Sequence, residues 1–283
     1  MSKISDALII LMTDLDGTLL DYDNFDYEPL KVFMNKLIAS GVVIIPNSSK
    51  TSAELEHFCK DFDAPLTYVC ENGAAIHHLT AANALKSETS IDRIVLGKPI
   101  SVLMGHWTGC ISAQLRDQCV FLDELSRVEQ AQILGLENAA LDRAMNREYS
   151  RPFVFEGSED EFHRLHDAAN KFDLNVVRGG RVSQLSANHD KADSIAIVRE
   201  AMAADSKHAV IVALGDSEND INMLCHADIA CVIPTKNRKV LSFNSNKSFQ
   251  KTIHVSQPAP HGWLEAVEAA LSFISMESRY CYG

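Results

Sequence analysis

Apolar and polar positions along this chain fall into two kinds of run. Short continuous apolar runs at residues 7–13, 42–46, 67–70, 209–214 and 229–233 predict strands buried on both faces. Longer stretches with apolar residues at helical spacing predict helices at 29–40, 190–203, 218–226 and 261–275. Gly41 ends the first of these, and the last carries Leu264, Val267, Leu271 and Ile274 on one stripe. A further helix is expected to run to about Phe62, with Ser48 to Thr51 supplying its cap residues. Strands alternating with helices predict an α/β fold, a Rossmann-like parallel sheet core covered by helices on both faces.

From about Ala84 to His189 the pattern changes. Amphipathic stretches at 111–119 and 126–134 lead to a β-like "SRPFVFEG", a helix near 159–172 and the strand–turn "LNVVRGGRVSQLS". This reads as a smaller α+β domain, residues 84–189, inserted into a core made of 1–83 and 190–283. His77 and His78 read as part of a turn, and no repeat or low-complexity tract interrupts the chain.

The polar clusters "TDLDG", "NSSKT", "ENGA" and "LGDSEND" each follow an apolar strand candidate. All four therefore belong at the carboxyl ends of the strands, the edge where ligands bind in open α/β sheets. Asp14 and Asp16 stand at i and i+2, which on an extended backbone points both carboxylates the same way. Their repulsion calls for a cation or a shared proton. With Asp216 and Asp220 at the same edge, three carboxylates and backbone carbonyls supply hard oxygen ligands suited to Mg²⁺ and poorly suited to zinc. Ser48 and Ser49, read as lying at a helix start, offer hydroxyls and free backbone N–H groups to a phosphate. Lys191 can add positive charge to the same oxygens. Neither a GxxxxGK[ST] loop nor a GxGxxG turn is present, so nucleotide handling by those routes finds no support.

A net charge of −12 argues against nucleic acid as a partner, since phosphate backbones need a basic surface. Seven scattered cysteines without a CxxC pair suit reduced thiols in a cytoplasm. The apolar run near the N-terminus is too short to span a bilayer, so no signal peptide or membrane helix is expected, and the sequons at Asn47 and Asn246 are expected to stay unmodified.

"DLDGTLLD", "SSKT", Lys191 in "HDKAD" and "GDSENDINML" resemble, in order, the four motifs of the haloacid-dehalogenase-like phosphatases, and the likeness spans the chain. The insertion after "ENGAAI" resembles the α/β cap of the Cof-type branch. "REYSRPF", "RGGR" and "GW.EAV" are further similar to enzymes of that branch that dephosphorylate mannosyl-3-phosphoglycerate. Arg151, Val182 and Ala192 depart from that narrower pattern, where an acidic residue, an aromatic and a glycine are usual.

The resemblance implies a Mg²⁺-dependent phosphatase working through an aspartyl-phosphate. Asp14 is then the nucleophile and Asp16 the general acid and base. The metal ligands it implies are Asp14, the backbone carbonyl of Asp16, and Asp216. Ser48, Ser49 and Lys191 are expected to bind the phosphoryl group, and Asn219 and Asp220 to orient the metal site or Lys191. Arg178, Gly180 and Arg181 of "RGGR" are expected to grip the carboxylate of a small phosphorylated sugar acid. Arg143, Arg147 and Arg151 form a second basic cluster. Other readings of the same residues are a phosphatase for another sugar phosphate, such as a glucosyl-phosphoglycerate, and a catalytically idle protein that binds phosphorylated ligands.

Overall fold

A computed structural model describes residues 7–62, 66–79, 91–179, 181–202, 208–237, 239–243 and 251–280. Gly180, Asn246 and Cys281 lie outside them. In chain order the elements begin β1 (Leu8–Thr13), α1 (Glu28–Ala39), β2 (Val43–Pro46), α2 (Ser52–Cys59), β3 (Tyr68–Cys70), β4 (Ala75–Leu79) and β5 (Ile91–Val95). There follow α3 (Ile100–Cys110), α4 (Ala113–Arg116), β6 (Cys119–Phe121), α5 (Arg127–Leu134), α6 (Asn138–Met145), β7 (Ser150–Phe155), α7 (Glu159–Asn170), β8 (Leu174–Arg178) and β9 (Ser183–Ala187). The chain closes with α8 (Asp193–Met202), β10 (Ala209–Gly215), α9 (Ile221–His226), β11 (Ile229–Val232), β12 (Lys251–His254) and α10 (His261–Tyr280).

These elements form two compact units, residues 1–48, 62–94 and 190–283 in one and 49–61 and 95–189 in the other. Segment 49–61, which carries α2, thus falls in the second unit.

The first unit is built on a parallel sheet of order β12-β11-β10-β1-β2. β1 lies between β10 and β2, and five of its six residues are buried, as an uninterrupted apolar run requires. Thr13 is in register with Leu214 on one side and Pro46 on the other, so the residues that follow all three strands emerge at one edge. α1 buries Leu30, Met34 and Leu37, an i, i+4, i+7 stripe, and Gly41 leaves it at φ 90°, the left-handed conformation that ends helices cheaply. A separate sheet of order β3-β4-β5 carries His77 and His78 within β4. The turn expected there fails because His77 stacks on Tyr68 of the paired strand, ring centroids 4.8 Å apart.

The second unit holds an antiparallel sheet of order β6-β7-β9-β8. Trp107 of α3 and Phe162 and Leu165 of α7 pack into its core with Phe121, Phe153, Val176 and Leu185. Trp107, Phe121 and Phe153 make edge or tilted ring contacts at 5.7–6.3 Å, each adding about 0.5–1.5 kcal/mol beyond area burial. Capping boxes start α2 (Thr51 with Glu54), α5 (Ser126 with Glu129) and α7 (Ser158 with Glu161). The amphipathic stretch expected at 111–119 gives only the single turn α4, because Cys119 already pairs with Phe155 in the sheet.

The cysteines at 59, 70, 110, 119, 225 and 231 are free thiols, and burial pushes those of Cys59, Cys119 and Cys231 up to about 12. No helix among the described residues is long and apolar enough to cross a membrane.

Candidate active site

Asp14 lies one residue beyond β1, and its backbone N–H donates to Leu214 O of β10. The regular strand ends at Thr13, and this hydrogen bond carries its pairing with β10 as far as Asp14. Leu15 O then accepts the N–H groups of Thr18, Leu19 and Leu20, closing a turn, and Asp16 bridges to Leu20. Gly17 makes that turn at φ 85°, and a Cβ there would sit 2.9 Å from Asp216 Oδ2. Only glycine brings the loop so close to the second carboxylate.

Lys191 stands two residues before α8, fully buried, between two carboxylates. Its Nζ donates to Asp14 Oδ1 at 2.5 Å and to Asp220 Oδ1 at 2.6 Å. Asp220, also fully buried, accepts on Oδ2 from the backbone N–H groups of Asp216 and Ser217. Thr18 Oγ1 donates to Asp216 Oδ1 at 2.8 Å. Asp14, Asp216 and Asp220 offer carboxylate oxygens within 4.8 Å of one another, the one such group of three among the described residues.

Three carboxylates around one ammonium leave the cluster short of positive charge. Burial pushes Asp216 up to about 8, with repulsion from Asp14 and Asp220 adding to it. Burial likewise pushes Asp14 up to about 7; attraction to Lys191 opposes this, while Asp220 and Asp16 add repulsion. For Lys191, burial works against its charge, but attraction to Asp14 and Asp220 outweighs it and the pKa rises. A hard divalent cation fits this set, since it meets buried oxygen ligands and relieves their repulsion.

The remaining candidates are placed as follows. Ser48 is buried at the same sheet edge; its N–H donates to Val69 O, and its carbonyl accepts from Asn72. Ser48 and Ser49 therefore do not open a helix, because the capping box fixes Thr51 as the N-cap of α2. The Ser48 N–H is spent within the fold, which removes it as the free donor expected there. Ser49 falls in the second unit, where its carbonyl accepts from Arg147 Nη1. Asn219 donates to Asn72 Oδ1 at 3.2 Å and accepts from Ser217 Oγ at 2.6 Å. Asn72 and Gly73 both take positive φ, and a Cβ on Gly73 would lie 2.0 Å from Asp190 O. The "ENGA" turn thus packs directly on the segment that presents Lys191.

In the second unit Arg178 meets Glu159 at 3.2 Å with its guanidinium 4.1 Å above the Phe162 ring, and Arg181 donates to Leu134 O. Both arginines are exposed. Two members of the basic cluster 143, 147, 151 are engaged by other partners. Arg151 stacks at 3.9 Å over Phe121 and pairs with Asp123 and Glu124, while Arg147 binds Ala144 O, Ser49 O and Ser150 Oγ.

Two groups at the site carry no role in the sequence reading. Thr18, in "DGT", holds Asp216, and its closeness to the aspartate motif was the available signal. Trp263 donates its indole N–H to Thr13 Oγ1 at 3.0 Å, and Thr13 Oγ1 donates in turn to Asp14 O at 2.7 Å. No local signal links residues 250 positions apart.

A family model for haloacid dehalogenase-like hydrolases matches residues 11–134 and 137–248. The chain is 25% identical over 274 residues to a glucosyl-3-phosphoglycerate/mannosyl-3-phosphoglycerate phosphatase from Persephonella marina, covering 94% of this chain and 98% of that one. A protein of the same name from Methanococcoides burtonii is 25% identical over 267 residues, 91% of this chain and 95% of that one. Among solved structures the fold is similar to a phosphatase of the haloalkanoate superfamily from Bacteroides thetaiotaomicron, with TM-score 0.61, 18% identity and 97% of each chain covered. It is also similar to a Synechocystis sucrose-phosphatase, with TM-score 0.55, 13% identity and 95% and 98% covered.

Proposed function

Because this chain belongs to the haloacid dehalogenase-like hydrolases, we propose that it is a phosphatase for a phosphorylated sugar acid, with mannosyl-3-phosphoglycerate as its substrate. The observation that carries the chemistry is Lys191, buried and held at 2.5 Å from Asp14 and 2.6 Å from Asp220, beside the third carboxylate of Asp216.

Asp14 attacks phosphorus, forming an aspartyl-phosphate as the bond from phosphorus to the substrate oxygen breaks. Asp16 gives its proton to that departing oxygen. It then takes a proton from the water that attacks the aspartyl-phosphate, freeing Asp14 and inorganic phosphate. Lys191 and the Ser48 hydroxyl bind the transferring phosphoryl oxygens. Asp220 keeps the Lys191 ammonium aimed at Asp14, and Thr18 orients Asp216. Asp14 and Asp216, with the backbone carbonyl of Asp16, would hold a Mg²⁺ ion, which when bound supplies the positive charge that a dianionic substrate demands beside a carboxylate nucleophile.

The substrate reading rests on the two relatives and on the "RGGR" arginines. Arg178, already oriented over Phe162, and Arg181 grip the glycerate carboxylate. Glucosyl-3-phosphoglycerate is the second substrate reading, because the relatives' name includes it and the two sugars differ at one hydroxyl.

The test is phosphate release from a panel of both sugar acids, simple hexose phosphates and an aryl phosphate, with and without chelator. Turnover should be highest on the mannosyl compound, vanish in chelator and return with Mg²⁺ better than with Ca²⁺. Full activity in excess chelator would remove the metal-assisted mechanism. A preference for plain hexose phosphates would remove the sugar-acid assignment.

A further inference from the structure

Asn47, the first residue after β2, is wholly buried and bonds both to the residue before Asp14 and to Lys191. Its backbone N–H donates to Thr13 O at 2.8 Å, one residue before Asp14. Its side-chain Nδ2 donates to the carbonyl of Lys191 at 2.9 Å and lies 3.2 Å from Ser194 Oγ. Because Lys191 O can only accept, the NH₂ half of the amide must face it. The other half, Oδ1, is then left in the interior with no hydrogen-bond partner among the described residues.

A buried acceptor without a donor is costly, and an apolar residue of the same size would avoid that cost. Packing therefore gives no reason for an amide here, and neither does the satisfaction of Lys191 O, which already accepts from Ser194 Oγ at 2.9 Å. What the amide adds is a link. The backbone N–H of Asn47 holds the strand end that precedes the nucleophile, and its side-chain amide, on the same residue, holds the backbone that carries the ammonium. We infer that Asn47 is a positioning residue that sets the reach of Lys191 to Asp14 from the backbone side. This rests on the phosphatase reading above and adds to it a residue that touches neither substrate nor metal. The burial of the Asn47 amide also withholds its sequon from modification in the folded chain.

The inference is tested with Asn47→Leu, which keeps the volume and removes both the donor and the stranded acceptor. On an aryl phosphate with saturating Mg²⁺, kcat per folded molecule should fall about ten- to a hundredfold, as for other residues that orient a site from behind. KM should stay within about threefold of the parent. The melting temperature should equal or exceed that of the parent, a combination that a merely structural residue would not give. Ser194→Ala removes the second donor to the same carbonyl but leaves Asn47 in place, and should keep kcat within about threefold. Unchanged kcat in Asn47→Leu, or a loss accounted for entirely by unfolded protein, would overturn the inference. If Asn47→Leu does not fold, Asn47→Ala is judged by the same kcat per folded molecule, and failure of both to fold makes Asn47 structural. A parent chain that releases no phosphate from any substrate would defeat the phosphatase reading first and this inference with it.

Discussion

In the first unit Lys191 is wholly buried and holds two carboxylates at 2.5 and 2.6 Å, whereas in the second Arg178 is half exposed and meets Glu159 at 3.2 Å across the ring of Phe162. The difference is one of surroundings more than of charge. Around Lys191 water is gone, every charge acts strongly on its neighbours, and two of the three carboxylates move up to about 7 and 8. Around Arg178 solvent screens the pair, so Glu159 can be exchanged for another anion at little cost. A buried cluster suits a reaction whose charges must not move. An exposed, pre-stacked guanidinium suits selection among ligands, because it can trade partners.

The sharpest way to break the first cluster is Asp14→Asn. It keeps the side-chain size and removes the nucleophile, so phosphate release should fall by at least about a thousandfold with an unchanged circular dichroism spectrum. Near-parental turnover would show that Asp14 forms no covalent intermediate.

Lys191→Met removes the one cation from among three buried carboxylates. Urea denaturation in chelator at pH 8 should show a loss of about 3–5 kcal/mol, the usual result of leaving buried charges unpaired. At pH 5 the loss should shrink, because Asp14 and Asp216 are then protonated in the folded state. Equal losses at the two pH values would mean that the carboxylates do not repel as described.

The exposed arginines should respond differently. Arg178→Ala or Arg181→Ala should lower kcat/KM on mannosyl-3-phosphoglycerate about ten- to a hundredfold, the worth of one charge-assisted contact, and leave the aryl phosphate reaction nearly unchanged. Equal losses on both substrates would make these residues supports of the fold.

The smallest effect is on thermal stability, and its sign follows from the raised carboxylates. Asp14 and Asp216 hold protons in the folded chain up to about 7 and 8, while in the unfolded chain they release them near 3.8. Between those limits the folded state binds more protons, so in chelator the melting temperature should fall as pH rises from 6 to 8.5. The lowered carboxyls of Glu129, Asp142 and Glu161 act in the opposite sense, but only at acid pH below their ordinary range. Mg²⁺ favours ionised carboxylates, so its stabilisation should be larger at pH 8.5 than at pH 6. A melting temperature that rises over this window in chelator would contradict the charge balance described for the cluster.

The elements most legible in the sequence are those whose local pattern and burial agree. β1, β10 and β11 are continuous apolar runs because a central parallel strand is covered on both faces, and β2, though it ends the sheet, still buries three of its four residues. α3 escaped because it is apolar almost all round and carries two glycines, so no stripe stands out. β12 escaped because it is a short, largely exposed edge strand of mixed character.

For the candidate site, the sequence by itself determined the chemical inventory: aspartates and hydroxyls set just beyond apolar strands, and a lysine near the start of a helix. Strand direction then sends every such cluster to one edge, so alternation alone told where they gather. Only the tertiary structure decided which of them meet. Asp220 faces Lys191, Thr18 faces Asp216, Asn47 reaches the Lys191 carbonyl, and Trp263 reaches Thr13 from the far end of the chain. Likewise it decided that Arg151 is spent on Asp123 and Glu124, and that the Ser48 N–H is spent on Val69. Hydrogen bonds form between groups within about 3 Å, whatever their separation along the chain. A one-dimensional pattern can place a residue on an edge or a face, but the pairing of side chains across that edge is set by how strands, turns and helices pack.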